Sequence, residues 1–353
     1  METIRQAIIA STIQAFGSER SIYGIFHLLK GKKSAQTIQD GAFFGVLTYF
    51  GLFPTLTREK IESDISSLIS NGYVEKVDSD RVCLTEAGYR KIHKFQTEHP
   101  FINDLQGWDY HRFSEQVWLR LSLYVQVITN VTNGHHRFFP VTHQIDVQDW
   151  VRRHLPKEQR KREELARQLH IDLERFLEDC SEVQALVMVL QLSGRQKVGM
   201  TKQQIADQLK LSIEKINIIH LSTLHRLIKK VERNEQFVHL PLFIQGLKSS
   251  FVLTESARET YGLLEKGKTI EEISHIRKLK RNTIEDHIVE IAIQNPDFSI
   301  RPYVPIEVEE LIVKVSRKLQ TTRLRDLKDN IPFEVDYFVI RLALARKKVK
   351  YGA

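Results

Sequence analysis

The sequence predicts a mainly α, multi-domain protein, and three observations predict it. Apolar residues recur at helical spacing along almost the whole chain. A convincing hairpin pattern occurs once, from Tyr73 to Leu84. One pattern, beginning at Thr201 and again at Thr269, has the spacing of two short helices that cross at a tight turn. A length of 353 residues suggests two or three domains, each large enough to bury its own core. The composition, 42% hydrophobic and 27% charged, is that of a globular protein rather than a disordered or membrane-spanning one. A net charge of +8 tilts the expected partner toward a polyanion, nucleic acid first.

The elements follow in order. Ile22 opens a helical run that ends in a basic turn, Lys30-Gly31-Lys32-Lys33-Ser34, and a second helix follows. Thr57 is a natural N-cap for a third helix, which carries Ile61, Ile65, Leu68 and Ile69 on one face. Asn71-Gly72 closes it, because glycine best adopts the left-handed cap conformation. Residues 73–77 and 81–84 are β-rich and are joined by Asp78-Ser79-Asp80, a turn composition. Thr85-Glu86-Ala87-Gly88 starts the next helix.

After His99-Pro100 the chain reads as helical with aromatic anchors at Trp108, Trp118 and Trp150, and a charged run extends from Arg152 to Leu169. A linker is expected near residues 241–250. Helices resume from Phe251, interrupted by Asn295-Pro296, Pro302 and Pro305. The expected division is 1–98, 99–250 and 251–353.

The repeat reads T-x-x-x-I-A-x-x-L-x-L from Thr201 and T-x-x-x-I-S-x-x-R-x-L from Thr269. Ala206 and Ser274 are the small residues where the two helices cross. Ile205, Leu209, Leu211, Ile216 and Ile219 fill the apolar positions of the first copy. The second keeps Ile273, Leu279 and Ile284 but has Arg277 where a core residue is usual. Lys210 and Lys278 stand in the turn where glycine is common.

The segment from about Ser21 to Lys91 resembles the winged-helix module that follows the ATPase core of RecQ-type helicases. Leu28-Leu29-Lys30-Gly31-Lys32-Lys33-Ser34, Phe50-Gly51-Leu52, Leu68-Ile69-Ser70-Asn71-Gly72-Tyr73 and Val82-Cys83-Leu84-Thr85 carry that resemblance. Residues from about Leu253 to Lys347 resemble the helix-turn-helix domain at the C-terminus of many such helicases. There the carrying residues are Leu264 to Ile273 and Asn282 to His287. The whole is similar to the YpbB-type bacterial proteins, which lie beside a RecQ-like helicase in the genome. The resemblance implies an N-terminal winged helix with a small β-hairpin followed by helical helix-turn-helix domains, and a RecQ-like helicase as partner.

Two clusters are candidates for DNA. Lys30, Lys32, Lys33 and Ser34 open a helix, where cations beside free backbone N–H groups suit a phosphate. Arg277, Lys278, Lys280, Arg281, Asn282 and Thr283 lead into the second helix of the second repeat, with Asn282 the candidate for a base contact. Arg58 joins them on the third helix, although Glu59, Glu62 and Asp64 beside it argue against deep major-groove reading. The acidic hairpin tip argues against a strand-splitting wedge. Arg346-Lys347-Lys348-Val349-Lys350 adds non-specific attraction.

Other motifs favour plainer readings. Gly262 to Thr269 has the spacing of a phosphate-binding P-loop, but helical residues precede it where that chemistry needs a strand. It reads better as a helix end at Gly267 and a capping box of Thr269 with Glu272. The Arg152–Arg167 run reads as a solvated helix face with i,i+4 pairs. His135, His136 and His143 read as loop histidines. Cys83 and Cys180 read as buried free thiols, which fits a reducing compartment. The first residues make a poor signal peptide and no run is long enough to span a bilayer, so a cytoplasmic, nucleoid-associated protein is expected.

The expected function is non-catalytic DNA binding in repair or recombination through backbone contacts to forked or branched DNA, as accessory to a separately encoded RecQ-like helicase. No cofactor, metal, membrane or small-molecule substrate is expected. The rivals are a helix-turn-helix transcription regulator and a protein scaffold for the helicase.

Overall fold

In the computed structural model, described for residues 3–233, 236–247 and 252–346, the chain is mainly helical. It divides into two compact units. One takes Gln6–His93 together with Ser250–Ala353, and the other Lys94–Ser249 with Thr3–Arg5. Segments 1–98 and 251–353, read from the sequence as two modules, therefore contribute largely to one unit.

In the first unit, α1 (Ile4–Phe16) is buried over most of its surface, with Ile8, Ile9, Ala10 and Ile13 in the core. Then come α2 (Ile22–Lys30), α3 (Ala35–Phe43), a 3-10 turn at Leu47–Tyr49, and α4 (Arg58–Ser70). Thr57 caps α4 as expected, its Oγ1 accepting the Lys60 N–H at 3.3 Å. Ile61, Ile65 and Leu68 are buried on its inner face, and Gly72 leaves it in the left-handed conformation (φ +71°).

Strands β1 (Val74–Lys76) and β2 (Val82–Leu84) pair antiparallel with Val74 opposite Leu84. Their alternation buries Val74, Val82 and Leu84 on one face. The Asp78 carboxylate holds the tip: it accepts N–H groups from Asp80 (3.0 Å) and Arg81 (2.8 Å) and pairs with the Arg81 guanidinium. Helices α2, α3 and α4 precede this hairpin directly. α5 (Glu86–Glu98) follows.

The same unit continues with α14 (Glu255–Leu264), α15 (Ile270–Arg277), α16 (Arg281–Gln294), α17 (Ile306–Leu319), α18 (Leu324–Asp329) and α19 (Tyr337–Arg346). The P-loop-like spacing falls as read. Gly262 lies inside α14 and Gly267 (φ +74°) ends that helical stretch. Thr269 and Glu272 form the capping box of α15, with the Thr269 N–H on Glu272 Oε2 at 2.8 Å.

The second unit holds α6 (Gly107–Tyr110), α7 (Ser114–Val131), α8 (Ile145–His154), α9 (Gln159–Glu178), α10 (Glu182–Leu190), α11 (Lys202–Leu209), α12 (Ile213–Glu232) and α13 (Leu240–Ile244). Its core gathers around α7, where Val117, Leu121 and Tyr124 are completely buried with Trp150 and Phe243 beside them. Arg120 interrupts the apolar run of α7 by lying over the Trp150 ring at 4.6 Å and donating to the Gln245 carbonyl at 3.1 Å.

Two expectations are corrected here. The Arg152–Arg167 run is not one helix face. Pro156 excludes Leu155 from helical geometry (ψ +123°), so the run is split between the end of α8 and the start of α9. The ion pairs recorded in it are i,i+3 rather than i,i+4: Arg152–Asp149 at 2.7 Å and Lys161–Glu158 at 2.8 Å. The two cysteines are free but only half-buried. Each thiol donates, Cys83 to Glu75 Oε1 and Cys180 to the Phe176 carbonyl, and burial pushes the Cys180 thiol up to about 11. No described helix is long and apolar enough to cross a membrane.

Candidate nucleic-acid interface

The two repeat copies have the same local construction. α11 and α15 both start with a capping box, from Thr201 with Gln204 and from Thr269 with Glu272. Both end on a lysine in the left-handed conformation, Lys210 (φ +54°) and Lys278 (φ +53°). Ile205 and Ile216 in the first copy, and Ile273 and Ile284 in the second, are completely buried where the helices cross. Lysine here replaces the usual glycine at a conformational cost on the order of 1 kcal/mol.

The copies differ at the opening of the second helix. The first has Ser212-Ile213-Glu214; the second has Lys280-Arg281-Asn282. Ser212 caps α12 by accepting the Lys215 N–H at 3.2 Å. Lys280 stands in the same place before α16 and offers no acceptor, so no side chain caps that helix. An uncapped helix opening flanked by cations is an arrangement that a phosphate oxygen completes.

The first basic cluster is built differently. Gly31 leaves α2 at φ +81°, and the Lys32 N–H returns to the His27 carbonyl at 2.9 Å. A Cβ on Gly31 would also lie 3.0 Å from the Gly51 Cα, so glycine is required twice over. Lys30, Lys32 and Lys33 are exposed, with Lys30 also lying 5.3 Å over the Phe26 ring. Ser34 is occupied as the cap of α3, accepting the Thr37 N–H at 3.3 Å. Arg58 is exposed at the start of α4 and lies 5.5 Å over the Tyr23 ring, whose hydroxyl donates to Glu62 at 3.1 Å.

These clusters are far apart in sequence, but the helices that follow them meet in space. Helices α3 and α16 pack together, and the Gln39 amide donates to Asp286 at 3.3 Å. Their openings, at Ala35 and Gln36 and at Arg281 and Asn282, line one cleft of about 680 Å³. The cleft's inner charges are largely paired: Arg20 with Asp40 at 2.7 Å, Arg341 with Asp286, and Arg281 with Glu285 at 2.9 Å. The lysines of the turns just before those openings, Lys30, Lys32, Lys33, Lys278 and Lys280, are exposed.

Past its first turn α16 is no reading helix. Ile284, Ile288, Val289 and Ile291 are buried among α3, α14, α15 and α19. α12 is buried in the same way in the second unit. Of the predicted residues on α16, only Arg281 and Asn282 are exposed, and Thr283 is half-buried.

Arg277 faces inward, its side chain only 11% exposed. It donates to the Ser256 carbonyl and to Thr260 Oγ1, both at 2.6 Å, and pairs with Glu259 at 2.6 Å. Thr260 in turn meets His287 Nδ1 at 2.8 Å, so the threonine hydroxyl accepts from Arg277 and donates to a neutral imidazole. Arg277→Ala is expected to cost about 2–4 kcal/mol of stability in urea denaturation and to leave the salt dependence of DNA binding unchanged. Arg281→Ala is expected to do the reverse, changing the melting temperature little and lowering the salt slope by about 1.

Desolvation first, then the nearby Arg277 charge, lowers His287 to about 4. Desolvation likewise lowers His225 in the second unit to about 3, and its Nδ1 accepts the Gln106 N–H at 2.9 Å. Groups lowered in this way bind more protons unfolded than folded. Their contribution is therefore complete above about pH 6.5 and disappears as the pH falls from there toward 4 and 3. Stability measured by urea denaturation should fall by several kcal/mol over that interval, and His225→Gln should flatten the profile.

Residues the sequence did not single out complete the cleft: Arg20, Gln36, Asp336 and Arg341. They meet only through the packing of α3, α16 and α19, which joins residues more than two hundred positions apart. His135, His136 and His143 lie on exposed loop backbone, and no group of three potential metal ligands occurs among the described residues. Lys347–Lys350 lie outside the described residues.

Residues 256–344 match the protein family described as a helix-turn-helix domain, a fold that suggests DNA binding. The chain is 32% identical over 334 residues to Protein YpbB of Bacillus subtilis (strain 168), covering 94% of each sequence. It belongs to the YpbB family. No solved structure matches it at a significant level.

Proposed function

We propose that this protein is a non-catalytic DNA-binding accessory to a separately encoded RecQ-like helicase, acting in repair and recombination. The uncapped, cationic opening of α16 is the observation that carries the DNA contact. The turn before α3, whose opening lines the same cleft, exposes Lys30, Lys32 and Lys33. Burial of α16 and α12 past their first turns favours backbone contact over base reading, so a sequence-specific regulator fits less well. The helicase partnership rests on the resemblance of the N-terminal segment to the RecQ winged-helix module and on its element order. A scaffold role is the second reading. It draws on the charge-balanced outer face of α4, where Arg58 and Lys60 stand beside Glu59 and Glu62.

Fluorescence anisotropy of the whole protein with single strand, duplex, fork and four-way junction, over a salt series, tests the DNA contact. Affinity that falls steeply with salt and is greatest for branched DNA is the expected result. Absence of binding at low salt would discard the DNA reading and leave the scaffold. Co-purification with the RecQ-like helicase tests the partnership separately.

A further inference from the structure

In the second unit, the loop between α7 and α8 holds one large aromatic ring almost wholly in solvent: Phe139 is 93% exposed. The loop backbone beneath it is fixed. The carboxamide of Gln126, itself buried, donates to the Phe139 carbonyl at 3.0 Å and accepts the Val141 N–H at 2.9 Å. One residue further on, the Gln148 amide donates to the Thr142 carbonyl at 3.0 Å. A ring displayed outward from pinned backbone loses little entropy when something covers it.

The loop itself lacks acids, the nearest in sequence on its C-terminal side being the exposed Asp146 and Asp149 of α8. From Asn130 to Ile145 the chain has no acidic residue, while Arg137 and three histidines are exposed around Phe139. Arg195 donates to Asn133 Oδ1 at 3.1 Å, which brings a second loop, Ser193–Gly199, alongside. That loop also has no acidic residue and exposes Arg195 and Lys197.

We infer that Phe139 is a stacking platform for an unpaired nucleobase, with Arg137, Arg195 and Lys197 attracting the flanking phosphates. An exposed ring among cations suits a ligand that offers flat π faces and repeated negative charge, which is single-stranded nucleic acid. An acidic protein segment would use the cations but has no such regular supply of rings. The inference rests on the DNA-binding reading above and adds a second point of contact, specific for unpaired strand.

The test uses the full chain and three fluorescent probes of equal length: oligo(dT), an abasic strand and a duplex. Abasic DNA keeps the phosphates and removes the rings. The wild type should bind oligo(dT) more tightly than abasic strand. Phe139→Ala should weaken oligo(dT) binding by about five- to a hundredfold, abolish that preference and leave duplex binding unchanged. Phe139→Trp should retain the preference, and its added tryptophan emission should be quenched by oligo(dT). Equal oligo(dT) affinity of the wild type and Phe139→Ala would overturn the platform while leaving the DNA-binding reading intact. Failure of the wild type to bind any of the three probes would overturn both.

Discussion

Reversing charge at the opening of α16, with Lys280→Glu and Arg281→Glu together, is expected to weaken duplex and junction binding at least a hundredfold at low salt. Two phosphate contacts become two repulsions, and the slope of log affinity against log salt should become shallower by about 2. The fold should tolerate the change, because carboxylates beside a helix N-terminus complement its dipole by about 0.3–1 kcal/mol. Arg281 gives up its pairs with Glu271 and Glu285 and the new carboxylate repels both, but position 281 is more than half exposed, where each such interaction is worth a few tenths to about 1 kcal/mol. An unchanged melting temperature with lost binding would separate contact from stability. Binding of undiminished strength and slope would sink the assignment of this turn to phosphate.

Asp172→Ala is expected to have the largest effect on stability. Asp172 is completely buried on α9, and one carboxylate oxygen accepts three successive backbone N–H groups: Val238 at 2.9 Å, His239 at 2.6 Å and Leu240 at 3.3 Å. Those groups lead into α13, whose Phe243 packs against Tyr124 and Trp150 in the core of that unit. Removing the carboxylate strands three successive donors, that of Leu240 buried, and releases the segment that carries Phe243. A loss of about 3–5 kcal/mol in urea denaturation is expected, with Asp172→Asn intermediate because it keeps one acceptor oxygen. A cost below about 1 kcal/mol would mean that the segment is held by its apolar contacts instead.

Much of the fold was legible because its signals are local. Thr57, Gly72 and Asp78 each act within a few residues of their own position, so caps, helix end and turn follow from residue type. The repeat was legible for the same reason: its two capping boxes and buried isoleucines form within one short motif. Arg277 shows the limit. Its place in the pattern marked it as unusual, but whether it points outward to a ligand or inward to Ser256 and Thr260 depends on α14, a separate helix. The cleft was not legible at all, since it exists only where α3, α16 and α19 meet. That the helices following the two basic turns open on one cleft is a property of tertiary packing.

The first unit is written in two main instalments, with nearly all of the second, Lys94–Ser249, between them. Glu19 accepts from Thr322, Arg323 donates to the Ser18 carbonyl, and Gln39 waits for Asp286. On a ribosome the apolar faces of α2 and α3 therefore emerge well before the helices that cover them, while the second unit has all its residues at hand much sooner. At about 5–20 residues per second that interval lasts on the order of ten seconds or more. The early segment is left dependent on its own turns and caps, or on chaperones, until α16 and α19 arrive.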